Sequence, residues 1–320
     1  MSSGPFPWGS MQPSLRHLIL AACLLGSTGA SGSSADTSVP VIRVEDQRVA
    51  NIAYRLATTG VARCSRTTPS FGLVWQHLTQ FALPDRAAAI AEYRLDIGPG
   101  ALAVIPDGPA ARAGVLPGDV LLGIDDTPLP PEPGRQLAFD QAGARARADQ
   151  TDTLLDTAAA AGRVVLRLAR DGVPLAATVM PTPACPSRVH LARSGQLNAF
   201  ADGTHVFLTT RLLQKTRTDD ELAFVIAHEM AHNILGHAAQ LRAASASKGL
   251  LGKRALTRQT EREADLLGVD LMIDAGYDAG GAGQVLNVLD RGPELPFLAA
   301  HDSIAARKAA IEAHAAARPR

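Results

Sequence analysis

Phe224–His237 reads FVIAHEMAHNILGH, and two of its histidines, His228 and His232, stand four residues apart. On a helix that spacing puts both side chains on one face, one turn above the other, so each can present a ring nitrogen to a single ion. Glu229 lies about 100° round such a helix, near enough to reach a water on the ion without ligating it. A helix with this polar triplet among apolar neighbours has to be packed from several sides, which is a strong demand on the fold. Thr218 and Glu221 form a Thr-x-x-Glu capping box that starts it.

The chain of 320 residues has room for two modest domains, and with 46% hydrophobic residues it can build a real core. Its 31 basic and 31 acidic residues balance, which gives no support to a nucleic-acid partner. Aromatics are scarce and alanine is abundant, as expected of helices packed through small residues. No apolar run reaches the roughly 18–20 residues of a membrane-spanning helix.

Arg16 and His17 precede the apolar stretch Leu18–Gly26 and the small-residue run Ser27–Ala35. This is the pattern of a secretory signal peptide, residues 1–30, and it implies export. LAAC, Leu20–Cys23, resembles a bacterial lipoprotein box, but the apolar core continues through Leu24 and Leu25. A soluble exported protein is therefore favoured over anchoring through Cys23. Removing the signal leaves Cys64 and Cys185, which an oxidising compartment would join in one disulfide.

Residues 31–92 read as an N-terminal helical arm, with Ile52, Leu56, Leu73, Leu78 and Phe81 as its apolar positions and TTPSFG (67–72) as an interruption. Beyond it, a strand leads to the turn Asp107-Gly108-Pro109, and a second strand, Val120–Ile124, ends at Asp125-Asp126. Gly162–Pro181 reads as a hairpin about Asp171-Gly172. GPAARAGVLPGD, Gly108–Asp119, resembles the recurring signature of PDZ domains of the bacterial protease type. The resemblance implies a PDZ domain over 93–182 that takes peptide termini by strand addition, with the groove strand near Ile97–Ile105.

A catalytic zinc takes three protein ligands and keeps one position open, and H-E-x-x-H is the signature of zinc proteases. A metzincin would need glycine and histidine where this chain has Leu235 and Ala238. The alternative is a glutamate on a second helix, Thr260–Gly276, with Ala264, Leu267 and Leu271 on one stripe and Gly276 as a left-handed stop. On the residues alone, both Glu261 and Glu263 qualify.

HEMAH followed by EREAD resembles the HtpX and CAAX-prenyl-protease family of gluzincins, in its soluble periplasmic, BepA-like branch. NAFADG (Asn198–Gly203) and AGYD (Ala275–Asp278) add to the resemblance, which runs from Leu197 to Arg307. It implies that Glu261 is the third ligand and that Asp265 orients a ligating histidine. His301 and Arg307 keep the family's spacing of six, although Asp302 replaces the usual proline. The resemblance implies that His301 approaches the zinc or the substrate and that Arg307 stabilises an oxyanion. His237, counted nine residues along the same helix from His228, points away from it and is expected to pack or hydrogen-bond. Val206–Thr209, in the strand His205–Thr209, is the expected edge for an extended substrate.

The expected fold is α+β: a mainly helical zincin-type metalloprotease domain over 183–320, with the small β-rich PDZ domain inserted N-terminal to it. The expected activity is that of an exported, periplasmic zinc endopeptidase, with one Zn2+ per chain, acting on unfolded or misassembled envelope polypeptides. Its rival is a PDZ-based, chaperone-like protein whose zinc site is latent and closed by His301. A structural zinc fits less well, because such sites fill all four positions with cysteine or histidine.

Overall fold

Val49, Ile52 and Leu56 recur at helical spacing and are all buried in α1 (Ser38–Thr59). The computed structural model describes residues 38–130, 132, 140–247, 250–290 and 302–318, and from Val39 onward these fall in one compact unit. The expected signal peptide and Cys23 lie outside the described residues. α1 is no detached arm: its apolar face shares a core with Leu222, Ile226 and Met230 and with Val269 and Met272.

After α1 the chain reaches Cys64, which is joined to Cys185 with their Cα atoms 5.6 Å apart. Everything between the two cysteines is an insertion. The chain leaves through β1 (Thr68–Ser70) and returns through an antiparallel partner, Thr182–Ala184, described below as β8. Inside this neck, β2 (Leu73–Gln76), α2 (Arg86–Tyr93), β3 (Gly100–Val104), α3 (Pro109–Arg112), β4 (Val120–Ile124) and β5 (Thr127–Pro128) come first. They are followed by α4 (Gln141–Ala158), β6 (Val164–Arg170) and β7 (Val173–Val179). The antiparallel sheet runs β2-β3-β4-β6-β7, with β5 on β4. Val164, Leu166 and Leu168 alternate inward from β6 onto Leu121, Ile124 and Leu155. The hairpin turns at Asp171 (φ 51°) and Gly172 (φ 82°), the two left-handed residues that a tight β-hairpin requires.

Two expectations are corrected here. The sheet begins at Leu73, well before residue 93, and Leu73–Gln76 is a strand where a helical arm was expected. The pairing of Leu73 with Val104 is non-local, and periodicity in a short window carries no trace of it. The groove strand also differs. β3 is bonded on both sides, and the two edges of the sheet belong to β2 and β7. β2 and α4 border a cavity of about 150 Å3, lined by Leu73, Trp75, Asp152 and Leu155 together with Tyr54 of α1 and His190.

β8 (Thr182–Ala184) leads to a three-stranded sheet of β9 (Arg188–Ala192), β10 (Ala199–Ala201) and β11 (His205–Thr209). Its order is β10-β11-β9, antiparallel then parallel. Val206–Thr209 is therefore central and has no free edge; β10 has one. α4 is tied to this sheet by Arg188, which pairs with Asp152 at 2.7 Å and Asp156 at 2.8 Å.

Helices complete the chain: α5 (Thr210–Leu213), α6 (Asp219–Ile234), α7 (His237–Ser247), α8 (Leu250–Asp274), α9 (Gly280–Asp290) and α10 (Ile304–Ala316). α6 is buried over Leu222–His228, with α8 and α9 packed against it and α10 against both of those. The close approach of α8 depends on Gly268, where a Cβ would meet the backbone N and Cα of His228 at 3.1 and 3.2 Å. Just past the end of α8, Gly276 takes φ 72°, the expected left-handed stop. Among the described residues no helix is long and apolar enough to cross a membrane.

Candidate metal centre

Thr218 caps α6 by accepting from the Glu221 amide at 3.1 Å, while the Glu221 carboxylate accepts from the Arg217 amide at 2.6 Å. Asp219, Asp220 and Glu221 fill the first turn, where the helix dipole favours negative charge. At the other end, the Asn233 side chain accepts from Gly203 N (2.7 Å) and donates to Ser187 Oγ (2.8 Å) and the His205 carbonyl (3.2 Å). These bonds fix the three-stranded sheet against the last turn of α6.

One helical turn before that end, the Nε2 atoms of His228 and His232 face each other at 3.2 Å. α8 brings Glu261 to them, with Oε2 3.2 Å from His228 Nε2 and Oε1 3.6 Å from His232 Nε2. Donors on one tetrahedral zinc, with bonds of about 2.0–2.1 Å, lie about 3.3 Å apart. The three donor atoms, one from each side chain and all within 4.8 Å of one another, fit a single ion of that kind.

The charge around the donors favours a cation. Burial alone would lower the pKa of His228, yet the carboxylates of Asp265 and Glu261 raise it to about 10. Burial likewise opposes ionisation of Glu261, but His228 and His232 hold it well below the usual carboxylate range. Glu229 is half-buried beside the donors, and burial pushes its carboxyl up against the opposing pull of His228 and His232.

A polar group stands behind each of the two imidazoles. His228 Nδ1 lies 3.1 Å from Asp265 Oδ1. Arg307, reaching in from α10, grips the same carboxylate in a fork, with Nε 2.8 Å from Oδ2 and Nη2 2.6 Å from Oδ1. The fork turns Arg307 toward the Asp265 carboxylate. Asp302, which stands in place of the family's proline, pairs with Arg262 Nη2 at 3.0 Å. His301 lies outside the described residues.

Behind His232 stands His237, hydrogen-bonded as expected, but its expected place on the same helix needs correction. α6 stops at Ile234, Gly236 turns the chain at φ 70°, and His237 opens a new helix. Counting rotation along one helix therefore misplaces it. Its Nδ1 lies 2.9 Å from His232 Nδ1 and its Nε2 3.1 Å from Glu263 Oε2. Glu263 thus faces His237, and Glu261 faces the donor atoms. Gly236, directly before a histidine, was the available signal.

Two imidazoles, one carboxylate and a further carboxylate at hand make up the chemistry of a catalytic zinc site rather than a structural one. Comparison with known families agrees on the class. Residues 163–251 match the model of peptidase family M48, and residues 100–143 match that of a PDZ domain. One region of the chain is thus similar to M48 peptidases and another to PDZ domains. Over 152 residues it is 30% identical to the mitochondrial metalloendopeptidase OMA1 of Schizosaccharomyces pombe. That match takes in 39% of this chain and 45% of the relative, so the chain spans less than half the relative's length.

Proposed function

We propose that this chain is a zinc-dependent metalloendopeptidase of the HtpX and BepA-like branch, with His228, His232 and Glu261 holding one ion. The observation that carries the reading is the approach of three side chains from two helices, with one donor atom from each all within 4.8 Å of one another. When bound, zinc supplies a Lewis acid and a water acidic enough to attack a carbonyl near neutral pH.

The rest falls to the chain's own residues. Glu229, made more basic by its burial, takes the proton of the attacking water and passes it to the leaving amide nitrogen. Asp265 fixes the ring of His228, and Arg307 fixes Asp265. An extended polypeptide adds to the free edge of β10, whose partner β11 is held on α6 through Asn233. Peptide termini are the proposed ligands of the PDZ domain, at the β2 edge. Export to the periplasm and a substrate pool of unfolded or misassembled envelope proteins rest on the signal pattern of residues 1–30 and on the family resemblance.

Casein cleavage tests the activity. The zinc-loaded chain should degrade it, chelation should stop it, and Glu229→Gln should lower turnover at least about a hundredfold. Equal turnover by wild type and Glu229→Gln would overturn the assignment of the base.

A further inference from the structure

With an ion on His232 Nε2, the contacts behind that ring permit one arrangement of protons. Its Nε2 faces His228 and Glu261, so the lone pair that holds an ion sits on Nε2 and the ring proton on Nδ1. That proton points at His237 Nδ1, 2.9 Å away, which must accept it. The proton of His237 is then on Nε2, aimed at Glu263 Oε2 at 3.1 Å. Glu263 is itself held by Gln259, which donates to Oε1 at 2.9 Å. The His237 side chain is 1% exposed, so water does not compete for its bond to His232. The turn at Gly236 brings the ring back onto the preceding helix instead of carrying it away.

We propose that His237 and Glu263 are positioning residues that fix the tautomer and orientation of His232 for metal binding. The inference rests on the metal-centre reading above and assigns that centre a second, independent support. His237 is no ligand: both of its nitrogens are engaged, one by His232 and one by Glu263.

The test is zinc affinity, measured by competition with a chromogenic chelator, alongside melting of the metal-free chain. His237→Leu should weaken zinc binding about 10–100-fold, the usual effect of losing a partner behind a ligand. His237→Gln should restore most of that, because its amide oxygen accepts from His232 while its amide nitrogen donates to Glu263. Wild-type affinity in His237→Leu would overturn the proposal. So would an equal loss in the Leu and Gln variants at equal metal-free stability, since packing alone would then explain both. If His237→Leu fails to fold, Glu263→Ala decides: lowered affinity supports the relay and unchanged affinity rejects it. A wild-type chain that takes up no zinc would instead overturn the metal-centre reading, and this inference with it.

Discussion

His228 and His232 present the same ring one helical turn apart, yet they are backed by opposite kinds of chemistry. Behind His228 lies a charged pair, Asp265 and Arg307, each only 4% exposed and joined by two bonds. Behind His232 lies a second imidazole, and the carboxylate beyond it, Glu263, is 42% exposed. A buried ion pair costs a great deal to break because it leaves a stranded charge. A half-exposed carboxylate costs little, because water replaces what is lost. The His228 side should therefore couple metal binding to folding, and the His232 side should act on the metal alone.

The largest effect should come from Asp265→Ala, which strands the Arg307 guanidinium in the interior. Urea unfolding of the metal-free chain should show a loss of about 3–5 kcal/mol. Replacing both residues with leucine should recover part of that stability while zinc affinity stays low. Stability lost to the same degree in Glu263→Gln would erase the contrast between the two sides.

A control away from the centre comes next. Serine at both Cys64 and Cys185 should lower stability by about 2–5 kcal/mol, because the bond closes a loop of 121 residues in sequence separation. Zinc affinity of the folded chain should not change. A parallel fall in affinity would mean that the PDZ neck and the centre are coupled.

A smaller effect distinguishes two buried aspartates that each meet an arginine. Asp265, forked by Arg307 and close to His228, is held below the usual range despite its burial. For Asp46, burial outweighs the pull of Arg193 and raises the pKa from 3.8 to about 6. A raised folded-state pKa means that the folded chain holds the proton more tightly than the unfolded one. This contribution to stability is full below pH 3.8 and is lost as pH rises through about 6. Asp46→Asn should therefore gain on the wild type by about 2–3 kcal/mol between pH 4 and pH 7. A constant difference across that range would remove the burial argument. The smallest change expected is that of Glu263→Gln, within about 1 kcal/mol in stability.

What the sequence disclosed follows the same division between local and distant. The cap at Thr218, the facing of His228 and His232, the turn at Asp171-Gly172 and the stop at Gly276 each depend on residues within a turn or two of one another. All four stand in the structure as read. The strand at Leu73–Gln76 was missed because its partner Val104 lies far along the chain. For β11, the strand was legible but its two neighbours were not, so a central strand passed for an edge. His237 was misplaced because the helix was extended through Gly236. Gly268 drew no notice, since nothing near it in sequence reveals that the His228 backbone lies against it. The target of Arg307 was hidden for the same reason: Asp265 belongs to another helix.

The most direct measurement is a crystal structure of the zinc-loaded chain, with diffraction collected on either side of the zinc absorption edge. The expected result is one anomalous peak per chain, bonded to His228 Nε2, His232 Nε2 and the Glu261 carboxylate, with His237 still between His232 and Glu263. A peak bonded to His237 or Glu263, or no peak near His228, would contradict the account.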